Sequence, residues 1–468
     1  MESGGRYGKV TDDVLASLAG IVGAGNILTG NDREDYSRDE TPGSPSFLPE
    51  VVVKPEDTAS VAAVLRLANE YIIPVTPRGA GTGLSGGAVP VYGGIVISLE
   101  KMNRILEIDC DNFTAVVESG VILSKFYEAV EEKGLFYPTY PGETSATIGG
   151  NVATNAGGMR AVKYGVTRQA VLGLEAVLAN GEIINTGGKY VKSSTGYDLT
   201  QLIIGSEGTL AVVTKIILKL IPTPGKQELL LIPFESLNDA IGAVPEILKK
   251  GILPVGIEFM EKDIIEMVED YTGTETPLHG KNAFLLIFVE ADSEDEIYTL
   301  AEEIGDICLE CGADDIFLPK GEIAKRNLLE IREKFYPVIG NYGMLDLADV
   351  VVPRSKIAEF VEKAKEIASK RGIKLVAYGH AGDGNVHLHP LGQKVDDTDE
   401  KVKELFTAIY QAGIALGGTI SGEHGLGFVK KGYFTAIEDK GKLDLMKRIK
   451  LSFDPKNVLN PGKVLDIE

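Results

Sequence analysis

The chain has 468 residues, more than one hydrophobic core usually serves, so two or three domains are expected and a cofactor can be buried. Hydrophobic residues make up 44% and charged residues 25%, without any run of eighteen apolar residues; this is the composition of a soluble globular protein and argues against a membrane span. With 47 Lys and Arg against 68 Asp and Glu, the formal charge of -21 disfavours nucleic acid and anionic lipid as partners, although a local cation can still dominate inside a cleft.

The stretch Met1 to Thr11 carries Arg6 and Lys9 with no apolar segment behind them, so no secretory signal or lipidation site is expected. Three cysteines fit a reducing cytoplasm, which is the expected location. Glu50 to Val53 reads as a strand, Pro55 and Glu56 open a helix with Val61, Val64, Leu65 and Ala68 on one face, and Ile72 to Thr76 returns as a strand. Glycine is dense from Gly79 to Gly94. Ile95 to Ser98, Ile105 to Ile108 and Thr114 to Glu118 then follow as strands without long helices between them, an α+β pattern and not a doubly wound one. A second glycine-rich zone covers Pro141 to Gly188, followed by Gly205 to Thr209 and the strand Ala211 to Leu220. Pro222 and Pro224 mark a boundary.

Beyond it, Glu228 to Pro233, a helix over Leu237 to Lys249 and Val255 to Met260 form one strand-helix-strand unit. Ala283 to Ala291, a helix and Asp315 to Leu318 form another, and the tandem predicts a ferredoxin-like cap. A helix over Lys356 to Lys370, a strand over Lys374 to Tyr378 and a helix over Lys401 to Leu416 lead to the tail Asp454 to Lys463. The expected divisions are an N-terminal extension (1–45), a cofactor domain (46–223), a cap or substrate domain (224–415) and a C-terminal segment (416–468) that returns to the cofactor domain. Cys308 and Cys311 form a CxxC, but they lie on a helix whose Ile297, Leu300, Ala301, Ile304 and Ile307 recur at helical spacing, which favours core cysteines. No second CxxC completes a zinc or iron-sulfur site.

The segment Pro77-Arg78-Gly79-Ala80-Gly81-Thr82-Gly83-Leu84-Ser85-Gly86-Gly87 lets backbone amides approach an anion, because glycines remove Cβ atoms and permit positive φ. Gly81, Gly83 and Gly86 satisfy GxGxxG, yet that nicotinamide fingerprint must open a helix, and here Pro90 and a strand follow. No Gly-Lys-Ser/Thr closes the run as a Walker loop would. Alone, such a loop is also compatible with a tight turn. The second zone, with Pro141-Gly142-Glu143-Thr144, Ile148 to Gly158 and Gly205 to Thr209, adds small residues, amides and hydroxyls that suit a long ligand lying against backbone.

Together with Lys163-Tyr164-Gly165, Leu172 to Glu175 and Ser194 to Leu199, these segments resemble the D-lactate dehydrogenase and glycolate oxidase D-subunit family, within the vanillyl-alcohol oxidase and p-cresol methylhydroxylase flavoprotein superfamily. The resemblance runs from about Tyr36 to Lys463. It implies an α+β fold, with a two-lobed PCMH-type FAD-binding domain, the ferredoxin-like α+β cap and the returning C-terminal segment. It also implies Arg78, Gly79, Ala80, Gly81, Thr82, Gly83, Leu84 and Ser85 around the FAD diphosphate. Pro141, Gly142, Thr144, Gly149, Gly150, Asn151, Thr154, Asn155, Gly157, Gly158 and Gly165 would lie along the ribityl chain and ring, with Glu207, Gly208, Val213 and Asn460 completing the cradle. Relatives that attach flavin covalently often use a histidine in the first loop; Arg78 to Gly87 has none, so noncovalent FAD is implied.

Of five histidines, three lie in Tyr378 to His389 and a fourth in Ser421-Gly422-Glu423-His424-Gly425. Glycines 379, 382 and 384 imply a turn into a strand with His387 and His389 on one face, so that His380 folds back towards it. A lone histidine is usually a hydrogen-bonded structural residue, but His380, His387 and Glu423 together suit an open divalent site for zinc, iron or manganese. The resemblance assigns the same three as metal ligands and His424 as the base. Where many relatives have asparagine after the second histidine, His389 stands here with its role undecided. Arg332 is the candidate for binding a substrate carboxylate, since guanidinium does so bidentately and the position matches the family; a solvated helical arginine among Glu330, Glu333 and Lys334 is the alternative. Asp349 reads as a supporting residue.

These readings point to an FAD-dependent dehydrogenase of a small D-2-hydroxy acid, D-lactate first. The metal would assist proton abstraction by His424, with hydride passing to the flavin N5. Glycolate or D-2-hydroxyglutarate dehydrogenase or oxidase activity, an ether-lipid synthase using the same bowl, and a noncatalytic FAD electron-transfer subunit are the alternatives. Electrons must leave to an external acceptor, such as an electron-transferring flavoprotein or an iron-sulfur subunit.

Overall fold

A computed structural model describes residues 6–273, 280–393 and 398–467. The first five residues of the N-terminal stretch read above lie outside the described residues. The chain divides into two compact units, one formed by Met1–Ala156, Val166–Thr223 and Glu423–Glu468, the other by Gly157–Gly165 and Pro224–Gly422.

In the first unit, the strands Val51–Val53 and Val75–Arg78 flank Ile95–Ser98 in parallel, and Ile27–Leu28 adds an antiparallel edge. The intervening helix runs Thr58–Tyr71 and starts later than Pro55 and Glu56 suggested, because the Asp57 carboxylate accepts the Ser60 amide at 2.7 Å as its N-cap. Val61, Val64, Leu65 and Ala68 are buried against the sheet. Ile72 takes a left-handed conformation (φ 55°) as the C-cap, so the next strand begins at Val75 and not at Ile72.

A second core surrounds a five-stranded antiparallel sheet ordered Ile105–Asp109, Thr114–Glu118, Val212–Lys219, Val171–Val177 and Ile183–Gly187. The C-terminal segment closes the first core. Val458 and Leu459 are buried in it, and the Asn460 amide donates to Val75 O at 2.7 Å. Lys450 is buried and donates to Thr209 O, Leu459 O and Asp454 Oδ2 at 2.6–2.7 Å.

The second unit is built on an antiparallel sheet ordered Lys226–Phe234, Ala283–Ala291, Gly256–Glu261, Lys374–His380, Asn385–Leu391 and Ala348–Val351. Strand, helix Leu237–Lys249, strand, strand and helix Glu294–Glu310 follow in the order expected of a ferredoxin-like unit, except that an additional helix, Lys262–Thr272, stands between the second and third strands. Its closing strand, expected at Asp315 to Leu318, is reduced to isolated bridges from Ala313 to Phe234 and from Phe317 to Leu231.

Cys308 is buried on the second helix, and burial pushes its thiol up to about 12. Cys311 caps the same helix half-buried, while Cys110 is exposed. A thiol reagent at pH 8 is therefore expected to modify Cys110 rapidly and Cys308 only on unfolding. Prompt labelling of Cys308 in a peptide map of native protein would refute this placement.

Candidate functional site

In the second unit the antiparallel register decides which side chains meet. Glu258 pairs with His380, Tyr378 with His387, and Asp349 with His387, so directly opposed residues project from one face. His387 and His389, two apart on one strand, share that face as well.

Glu258 lies in Gly256-Ile257-Glu258-Phe259-Met260 with no exposure to solvent. Its Oε1 meets His380 Nδ1 at 2.5 Å, while its Oε2 accepts Arg332 Nε at 2.9 Å and Nη2 at 2.7 Å. Burial favours the protonated acid, but the His380 and Arg332 charges and hydrogen bonds outweigh it, and the carboxyl is held below the usual range. Removing one member of such a buried ion pair typically costs about 3–5 kcal/mol.

Arg332, on the helix Glu322–Glu333, is 12% exposed along its side chain, so the solvated-helix alternative does not hold. Its guanidinium lies 4.7 Å from the Tyr378 ring centroid and 5.3 Å from that of Phe335. Glu330 pairs with Arg326 and Lys334 instead. Nη1 of Arg332 has no hydrogen bond among the described residues.

His380 Nε2 and His387 Nε2 converge to 3.4 Å. Asp349 is buried beside them, with Oδ1 accepting Asn385 Nδ2 at 2.7 Å and lying 3.9 Å from His387 Nδ1. Its Oδ2 accepts Ser421 Oγ and the Gly422 amide, both at 3.0 Å. His389 contacts Tyr378 Oη and Met344 Sδ, each at 3.2 Å, and stacks on the Tyr378 ring with 11° between planes.

The chain enters the first unit at Glu423, and His424 Nε2 lies 3.5 Å from Glu423 Oε1 there. Three residues beyond His424, Gly427 comes so close to the first glycine loop that a Cβ would stand 1.7 Å from Ser85 O. Glu207 is buried, and its carboxylate accepts the Leu426 and Gly427 amides at 2.8 and 2.7 Å. Asn460 Nδ2 donates to Gly87 O and Glu207 O at 3.0 and 2.7 Å. The side chains of Glu207 and Asn460 thus knit loops together. Lys463 is buried near Glu207 and Asp39, and burial pushes its ammonium down to about 7 against their attraction.

The loop Gly79 to Ser85 follows the strand Val75–Arg78, with Thr82 and Leu84 half-buried and Gly83 exposed. Arg78 donates to Arg38 O at 2.8 Å and Asp35 O at 3.1 Å. Beside it, Arg78, Ala80 and Gly81 line a cleft of about 570 Å³ with Arg38, Asp39 and Glu40. Pro141, Gly142 and Thr144 lead into the helix Ile148–Thr154, which carries Gly149, Gly150 and Asn151, and Asn155 caps it in a left-handed conformation. Gly208 has φ 68°, and Val213 sits on the strand Val212–Lys219. Gly157, Gly158 and Gly165 belong to the second unit. Ser119 Oγ, Thr139 Oγ1, Asn151 Nδ2 and Arg168 Nε are buried in the first unit without hydrogen-bond partners among the described residues.

Glu258 was missed by sequence reasoning. Its signal was a lone carboxylate inside an apolar strand run, a placement that requires a buried cationic or hydrogen-bonding partner.

The pattern described as "FAD linked oxidases, C-terminal domain" matches residues 223–464, and "FAD binding domain" matches residues 49–187. The chain is 44% identical to a D-lactate dehydrogenase of Archaeoglobus fulgidus, covering 92% of this chain and 95% of that protein. It is 41% identical to the glycolate oxidase subunit GlcD of Bacillus subtilis, covering 97% of each. A solved structure of p-cresol methylhydroxylase with substrate bound superposes with a TM-score of 0.79 at 19% identity, over 97% of this chain and 96% of that one, which establishes the shared fold.

Proposed function

Because the chain belongs to the FAD-linked oxidase family and is therefore an FAD-linked oxidoreductase, we propose that it oxidises a small D-2-hydroxy acid, D-lactate first. The observation that carries this reading is the buried row Arg332–Glu258–His380–His387–Asp349, which sets a guanidinium beside two convergent imidazoles.

Both implied groups fit the residues present. The partnerless Ser119, Thr139, Asn151 and Arg168 atoms are donors and acceptors of the kind a flavin ring and its ribityl chain engage. A Cβ at Gly149 would stand 2.5 Å from the Ser119 side chain, so the backbone there is kept bare. Two imidazole nitrogens each ~2.05 Å from a tetrahedral ion stand ~3.3 Å apart, close to the 3.4 Å between His380 and His387.

When bound, FAD supplies a two-electron acceptor and the divalent ion a Lewis-acid charge. Arg78 to Ser85 would hold the diphosphate, and Pro141 to Asn155 with Gly157, Gly158 and Gly165 the ribityl and ring portions. Glu207, Gly208, Val213 and Asn460 would keep that cradle in shape. His380 and His387 would hold the ion with Glu423, a carboxylate assigned from sequence alone. Arg332 Nη1 would take the substrate carboxylate, and His424 would accept the hydroxyl proton. Electrons would pass to an external acceptor, an electron-transferring flavoprotein first.

Anaerobic D-lactate is expected to bleach the flavin absorbance, whereas L-lactate leaves it unchanged. Bleaching by glycolate and not D-lactate would favour the second reading, supported by the glycolate oxidase relative. No bleaching by D-lactate, glycolate or D-2-hydroxyglutarate would remove hydroxy-acid oxidation altogether. Acid precipitation is expected to release the flavin into the supernatant; a yellow pellet would refute noncovalent attachment.

A further inference from the structure

We infer that Glu258 is a positioning residue that couples the imidazole pair to the substrate-binding arginine, through one carboxylate with a separate oxygen for each. The inference rests on the reading that His380 is a metal ligand and Arg332 a carboxylate anchor.

The division of labour is explicit in the hydrogen bonds. Oε1 is committed to His380 Nδ1 at 2.5 Å, and Oε2 to Arg332 Nε and Nη2 at 2.9 and 2.7 Å. With a carboxylate on Nδ1, the imidazole carries its hydrogen there and presents an unprotonated Nε2 towards His387. The same carboxylate holds two of the guanidinium nitrogens and leaves Nη1 as the outward donor.

Neither arm is adjustable. Glu258 is fixed on a central strand between Ala283–Ala291 and Lys374–His380, without solvent exposure, and the Tyr378 and Phe335 rings flank the guanidinium. A shift of Glu258 therefore reorients both partners together.

Glutamine in this place cannot satisfy both. Its carbonyl oxygen accepts from one partner while its NH₂ turns towards the other. Facing Arg332, the NH₂ opposes other donors; facing His380, it demands an unprotonated Nδ1 and moves the ring hydrogen to Nε2, where it blocks coordination. Aspartate keeps the charge but is shorter by one methylene and spans only one arm.

The test uses the flavin-loaded protein in wild-type, Glu258→Gln and Glu258→Asp forms. Metal content per flavin is measured after a timed challenge with a chromophoric chelator, and KM and kcat for D-lactate are measured on chelator-free samples. Glu258→Gln is expected to weaken metal retention ~10–100-fold, the range for loss of a metal ligand's hydrogen-bonding carboxylate, and to raise KM. Flavin content is expected to stay as in the wild type, because the proposed FAD residues do not include this strand. If Glu258→Gln is insoluble, Glu258→Asp carries the test, with faster metal loss or a raised KM expected. Wild-type chelation rate and KM in a folded variant overturn the inference. A purely structural role would lower the melting temperature while leaving chelation rate per flavin and KM unchanged, and that outcome overturns it too. A wild-type protein that holds no metal and is not reduced by any hydroxy acid marks failure of the functional reading itself.

Discussion

His424→Asn is expected to lower kcat for D-lactate by ~10²–10⁴, the usual contribution of a positioned general base. Asparagine retains hydrogen-bonding capacity but has no site that takes up a proton near neutral pH. The neighbouring loop should survive the change, since Glu207 holds it through the backbone amides of Leu426 and Gly427 and not through the imidazole. Anaerobic stopped-flow reduction of the flavin isolates the chemical step, with flavin and metal content per chain measured alongside. A rate constant within twofold of wild type, at normal flavin and metal content, removes His424 from the reaction.

Arg332→Lys is expected to raise KM for D-lactate by ~30-fold or more, corresponding to about 2 kcal/mol or above for a truncated buried charge contact. The guanidinium has three nitrogens: Nε and Nη2 hold Glu258, and Nη1 remains for a second carboxylate. A lysine has one nitrogen on a flexible stem and must choose between Glu258 and the substrate. The variant keeps the positive charge, so a rise in KM would report geometry and not charge. Flavin content should not change, because the proposed FAD residues lie elsewhere. Unchanged KM would show that the arginine serves only to neutralise Glu258.

The histidine cluster was legible because scarcity and spacing coincide: Tyr378, His380, His387 and His389 share a hairpin face by strand alternation alone. Arg332 could be selected by chemistry, but its partner could not. Glu258 is 74 residues upstream on a strand that reads as ordinary apolar core, and only the register Glu258 against His380 brings them together. Element ends shifted where a side chain outcompeted the apolar pattern. Asp57 delayed one helix by capping it, and the left-handed Ile72 delayed the next strand. The expected strand at Asp315 to Leu318 has suitable residues at Ile316, Phe317 and Leu318, but pairs only through isolated bridges. Glu207 and Asn460 were placed at the cradle by resemblance, yet their structural bonds run to backbone in distant segments, which spacing along the chain cannot reveal.

The interleaving of the two chain ends bears on how the protein is made. The first unit to begin emerging from the ribosome lacks Val458, Leu459 and Asn460 until all of 224–422 has been synthesised, although these residues fill its core and bind its early loops. Nearly all of the second unit, 224–422, is synthesised inside that interval and can acquire its sheet beforehand. Nascent chains stalled before Val458 should therefore protect the later-encoded unit against protease while the earlier-encoded one remains open to cleavage.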